Sequence, residues 1–132
     1  MYKHTVLFVD DTKFILKTLN EILKNEKFNK LYANNAEEAL QIIEEVPIDV
    51  IIADILMPEI NGIQLLKMVK EKHPEIVRVA LSGSYNPTCI IEAINSAEVY
   101  RYLTKPLNLS ENYKKTFKDI LEHSDYLKSI KL

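Results

Sequence analysis

The chain has 132 residues, 17 basic against 19 acidic side chains, a net charge of −2 and 47% hydrophobic residues. That mixed, nearly balanced charge offers no footprint for nucleic acid or an anionic membrane as main partner. A single cysteine excludes a disulfide framework and a cysteine metal cluster, and the length suits one domain with its own core.

Thr5–Val9 predicts the first strand. Its apolar run is far too short for a signal peptide or membrane span, which points to a cytoplasmic protein. The strand ends in adjacent carboxylates, Asp10 and Asp11, and a helix with Ile15, Leu19, Ile22 and Leu23 on one face follows, capped by Asp11 or Thr12. Lys30–Ala33 is the second strand. Asn35-Ala-Glu-Glu38 reads as a capping box for a second helix carrying Ala39, Leu40 and Ile43, which Pro47 stops. Ile48–Ala53 is apolar on both faces, as a parallel strand covered on each side should be. A third helix starts after Asn61-Gly62, carries Leu65, Leu66 and Val69, and ends before Pro74. Ile76–Leu81 is the fourth strand; the fourth helix begins near Pro87 with Ile90, Ile91 and Ile94, and Cys89 within it reads as a small core hydrophobe. Val99–Leu103 is the fifth strand, and the last helix follows Ser110 with Tyr113, Phe117, Ile120, Leu121 and Leu127 inward. Right-handed crossovers fold this fivefold βα alternation into a doubly wound three-layer α/β sandwich, expected to be flavodoxin-like with strand order 2-1-3-4-5. We expect the domain to span residues 1–123, with 124–132 extending the last helix as the possible start of a linker to an output domain.

Ligands in such folds sit at the carboxyl ends of the strands. Asp10 and Asp11 follow the first strand, Asp54 the third, Ser82 the fourth, and Thr104 and Lys105 the fifth. Three carboxylates on one rim repel unless a hard cation sits among them, and carboxylate, carbonyl and water oxygens suit Mg²⁺. Mg²⁺ favours phosphoryl ligands, and Lys105 and Ser82 are suited to the remaining phosphate oxygens. A carboxylate can itself be the nucleophile; Asp54, leaving the central strand, is the best placed.

The motifs "LFVDD", "DILMPEING", "LSG" and "YLTKP" match in order and spacing those of the response-regulator receiver domains, and the chain resembles that family from about Lys3 to about Glu122. The resemblance implies that Asp54 accepts a phosphoryl group from a phosphohistidine on a histidine kinase or phosphotransfer protein. It implies direct Mg²⁺ binding by Asp11, water-mediated binding by Asp10, and a third protein ligand in the Leu56 carbonyl. Lys105 would pair with the phosphoryl group, Ser82 would move to bond it, and Tyr102 would fill the space left. The Lys105–Pro106 bond is expected to be cis, as in the family. The readout surface would be the fourth helix, fifth strand and fifth helix, including Ile90, Ile94, Tyr102 and Lys114, meeting an output domain or partner protein, with a homodimer on phosphorylation as one outcome. Neither direct nucleic-acid binding nor membrane association is expected.

Departures are Ser96-Ala97-Glu98 where the family often has glycine after the fourth helix, and Leu56 and Ser84, at positions that tune phosphoryl lifetime. An apolar Leu56 cannot position an attacking water, which predicts slow self-dephosphorylation. The charge pattern that winged-helix regulators use to dimerise is not evident. "AINSAEVYRYLTKPLN" is similar to receivers that precede cyclic-dinucleotide phosphodiesterases or sigma-54 activators. Two other readings stand beside this one. Haloacid-dehalogenase-type phosphatases put a nucleophilic Asp on the first strand with a second Asp two residues later, where Thr12 stands here. A pseudo-receiver would bind partners without phosphorylation, although all the reactive groups are present.

Overall fold

The computed structural model describes residues 2–57, 59–83, 87–104 and 112–130. Pro58, Ser84, Lys105, Pro106 and Ser110, which carry expectations above, lie outside the described residues, as do the side chains of Cys89 and Ile90. Strands and helices alternate: β1 Thr5–Val9, α1 Lys13–Leu23, β2 Asn29–Ala33, α2 Ala36–Glu45, β3 Val50–Asp54, α3 Gly62–Lys72, β4 Val77–Ser82, α4 Pro87–Ala97, β5 Arg101–Thr104 and α5 Asn112–Ser129. All strand pairs are parallel, in the order β2-β1-β3-β4-β5. Strand order reverses between β1 and β3, which opens a crevice at their carboxyl ends.

Side chains alternate across each strand, so one strand feeds two cores. Leu7 and Val9 of β1, Ile51 and Ala53 of β3 and Ala80 of β4 meet Ala39 and Ile43 of α2, Leu65, Leu66 and Val69 of α3, and Ala93 and Ala97 of α4. The intervening Val6, Phe8, Val50, Ile52, Val77, Val79 and Leu81 meet Leu19 and Leu23 of α1 and Phe117 and Ile120 of α5. Each fully buried large side chain contributes about 1.5–3 kcal/mol, and β3 is buried along its whole length. None of the described helices is long and apolar enough to cross a membrane.

Local signals explain most element ends. Thr12, in extended backbone, is the N-cap of α1. The Asn35 side chain accepts from Glu38 N at 2.7 Å, but the Glu38 carboxylate reaches back to Asn34 N (3.1 Å), one residue before the N-cap. A complete capping box instead opens α3: Asn61 accepts from Gln64 N (2.9 Å) and Gln64 from Asn61 N (3.0 Å). β5 starts two residues later than expected: Val99 and Tyr100 pack against the two cores, and Tyr100 N already donates to Arg78 O of β4 at 2.8 Å before the strand begins. At the end of α4, Glu98 takes the left-handed backbone (φ 49°) that glycine usually supplies, and its carboxylate pairs with Lys70 of α3 at 3.4 Å.

The far end of α5 is fastened to the amino-terminal edge of the sheet. Ser124 is buried, and Leu127 packs on the α1–α5 core. Asp125 accepts from His4 Nε2 at 2.9 Å and pairs with Lys3 at 3.3 Å. Lys128 pairs with Asp49, whose other carboxylate oxygen accepts from Thr5 N at 2.7 Å.

Candidate functional site

β1 and β3 lie side by side, with Val9 opposite Ala53, so the residues that follow them reach the same rim. Asp10 is 1% exposed; its N–H continues the β1–β2 ladder to Ala33 O (3.1 Å), and its Oδ1 accepts from Thr12 N at 2.9 Å, turning the chain into α1. Asp11 is exposed. Asp54, the last residue of β3 and 5% exposed, accepts from Leu56 N at 3.0 Å through Oδ1. Among the described residues, Asp10, Asp11 and Asp54 each offer an oxygen, all within 4.8 Å of one another. Like charges at that spacing repel by on the order of 3 kcal/mol per pair at an effective dielectric constant of about 20, and by less for the exposed Asp11. The three could hold a metal ion, and an all-oxygen donor set fits a hard divalent cation.

Ser82 closes β4 on the neighbouring strand and is fully buried; Leu81, beside it, is the register partner of Asp54. Thr104 sits opposite Ser82 on β5. Tyr102, opposite Ala80, packs on the α2–α3–α4 core, and its buried hydroxyl has no hydrogen-bond partner among the described residues. Lys105, expected beside these groups, lies outside the described residues. The structure thus brings Asp10, Asp11 and Asp54 together and sets Ser82 and Tyr102 on the two adjoining strands. Leu56 is 58% exposed next to Asp54, so its side chain offers water no polar group.

Gly62 was read from the sequence only as a helix start and a motif position, yet it shapes the site. A Cβ at Gly62 would lie 2.0 Å from the Asp54 carbonyl oxygen and 2.6 Å from both Asp54 C and Ile55 Cα. The Gly62 N–H donates to Ile55 O at 3.2 Å, so α3 begins pressed against the backbone that carries Asp54. The Asn61-x-x-Gln64 spacing was the available signal, since a capping box fixes where the first helical residue must sit.

The sequence profile of the response regulator receiver domain matches residues 6–117. The hydrogenase transcriptional regulatory protein HoxA of Cupriavidus necator is 39% identical over 102 residues, 77% of this chain and 21% of that protein. A cyclic di-GMP phosphodiesterase of Thermotoga maritima is 32% identical over 105 residues, 80% of this chain and 28% of that one. The chain therefore spans about a fifth to a quarter of these curated relatives. Among solved structures, the signal receiver domain of an HD domain-containing protein from Pseudomonas fluorescens Pf-5 superposes with a TM-score of 0.88 at 29% identity, covering 93% of this chain and 98% of that one.

Proposed function

Because the chain belongs to the response regulator receiver family, whose members are phosphorylation-activated switches of two-component signalling, we propose that its phosphoryl acceptor is Asp54. One observation carries this reading: three carboxylate oxygens converge within 4.8 Å, and Asp54 leaves the central, wholly buried strand among them. The donor is the phosphohistidine of a histidine kinase or phosphotransfer protein. A carboxylate oxygen of Asp54 bonds to phosphorus as the bond from phosphorus to the imidazole nitrogen breaks, and that nitrogen leaves with its electron pair. Asp11 and Asp54 would hold Mg²⁺ directly, with Asp10 acting through water and Leu56 through its carbonyl. Charge neutralisation at the phosphoryl oxygens is the chemistry Mg²⁺ supplies when bound. Exposed Leu56, two residues after Asp54, and exposed Phe14, three residues after Asp11, offer apolar surface to the donor.

Lys105 pairs with the phosphoryl group and Ser82 turns to donate a hydrogen bond to it. Tyr102 then repacks. A buried hydroxyl without a partner costs about 1–3 kcal/mol, and that of Tyr102 has none among the described residues, so this side chain would gain from a rearrangement that satisfies it. The switch is an equilibrium biased by contacts to the phosphoryl group and read on α4, β5 and α5 by an output domain or partner protein. The domain's own chemistry is confined to gaining and losing the phosphoryl group; any further activity belongs to what it regulates.

Incubation with Mg²⁺ and acetyl phosphate should give one hydroxylamine-labile phosphoryl adduct by mass spectrometry, mapped to Asp54 and absent from Asp54→Asn. An adduct on Asp10 would favour the phosphatase chemistry instead. With neither an adduct nor a spectral change on adding beryllofluoride, the proposal is wrong.

Leu56 sets a second expectation. The phosphorylated protein should lose its phosphoryl group slowly, and Leu56→Asn, which can orient a water, should shorten the half-life about tenfold, equivalent to about 1.4 kcal/mol of barrier. A wild-type half-life of seconds in Mg²⁺ would contradict the role given to Leu56.

A further inference from the structure

β4 runs towards the candidate site and α4 runs back from it. Arg78, Ala80 and Ser82 alternate with residues of the α1–α5 core, so they line the face of β4 that α4 covers. Ser82 stands at the site end of that stripe, and Arg78 stands four residues back, about 13 Å away.

The Arg78 guanidinium is spent on main-chain carbonyls. Nε donates to Ala97 O at 3.0 Å and Nη2 to Glu98 O at 3.5 Å, at the end of α4. Nη1 donates to Ile76 O at 2.8 Å and Pro74 O at 3.3 Å, in the turn that leads from α3 into β4. The final carbonyls of a helix have no partner within the helix and carry its negative dipole end, so the half-buried Arg78 cation is favourably placed there. Glu98 is held in the left-handed region and tied to Lys70 of α3, which adds a second fastening at the same corner. Burial and the Arg78 charge together push the His123 imidazole of α5 below its ordinary pKa, so the guanidinium is felt across the sheet edge as well.

We propose that Arg78 is the fixed pivot of α4, holding its C-terminal end still so that a pull exerted near Ser82 tilts the helix rather than shifting it whole. The inference rests on the phosphorylation reading above and names how that site would reach α4. A shift of about 1–2 Å at the site end of an 11-residue helix, about 16 Å long, corresponds to a tilt of about 5°. Arg78 touches neither phosphoryl donor nor acceptor; it is a positioning residue for the switch.

Residue-resolved amide exchange of the intact chain, with and without Mg²⁺ and beryllofluoride, tests this. In wild type, activation should change exchange at Ile91 and Glu92 by at least about tenfold and at Asn95 to Ala97 by less than about twofold. Arg78→Gln should speed exchange at Asn95 to Ala97 at least about tenfold in the resting protein and make both ends respond to activation, while acetyl phosphate still labels Asp54. Arg78→Lys, which keeps charge without the fork, should fall between, and Ile43→Val, a mild core lesion under α2, should leave the asymmetry unchanged. Equal responses at both ends of wild-type α4, or a resting helix end indifferent to Arg78→Gln and Arg78→Lys, would overturn the pivot. Beryllofluoride that alters exchange nowhere would overturn the phosphorylation reading, while the resting comparison still judges the clamp.

Discussion

Gly62→Ala is expected to lower stability by about 3 kcal/mol, about 10 °C in melting temperature, and to impair phosphoryl uptake at the same time. Ordinary small-to-large changes are softened because a neighbouring side chain can rotate away. Here the neighbours are the carbonyl of Asp54 and the Cα of Ile55, with the nearest contact at 2.0 Å, so only backbone can yield. Two elements share that backbone. β3 is pinned on its far side by Ile55 N donating to Leu81 O at 3.1 Å, and α3 by its capping box. One of them must move, and either movement displaces the carboxylate from its two partners. Urea unfolding and acetyl phosphate labelling of the same preparation check both parts. A variant with an unchanged midpoint, or one destabilised but labelled at the wild-type rate, would show that α3 does not position Asp54.

The second large effect concerns the last turns of α5. A chain ending at His123 should be about 2–3 kcal/mol less stable than one ending at Ile130. It loses the Leu127 packing, the buried Ser124, the Asp125 link to His4 and Lys3, and the Lys128–Asp49 pair. Most of that loss is apolar burial and helix continuity, because exposed ion pairs are weak. The hydrogen bond from His4 holds the Asp125 carboxyl below its ordinary value, with Lys3 adding to the effect and partial burial opposing it. A carboxylate depressed in this way stabilises the fold above its unfolded pKa, and the contribution fades as pH falls through the folded value. The longer chain's advantage should therefore narrow below about pH 4 and hold steady above about pH 5. Urea midpoints of the two chains that coincided at neutral pH would place residues 124–130 outside the cooperative unit.

The βα alternation could be read from the sequence because each strand is short and apolar and each helix is flanked by turn residues, while the strand order was expected only as part of a flavodoxin-like fold. The acidic rim was equally readable, since the fold rule carries Asp10, Asp11 and Asp54 to one edge whatever the details of packing. What the sequence leaves unmarked depends on partners far away along the chain. Arg78 looks like any polar residue in a strand; its four carbonyls come from the connection that leads into the strand and from the end of α4. His4 and Asp125 meet across nearly the whole sequence. Glu59 and Glu98 adopt positive φ, 62° and 49°, without the glycine or asparagine that would have announced it. Gly62 resembled a turn residue because a close backbone approach leaves no mark beyond the missing side chain.

β3 ends in Asp54 and is walled in by β1, β4 and helices on both faces. Amides at such a position exchange only when the whole domain opens, unlike those of fraying helices or loops. A phosphoryl group carried by Asp54, as proposed, would therefore be attached to a part of the molecule expected to open slowest. The lifetime of the signal should follow the chemistry of attacking water at the rim and be insensitive to local breathing of the scaffold. Mild denaturant that loosens α4 or α5 would then blunt the message while leaving the phosphoryl half-life nearly unchanged.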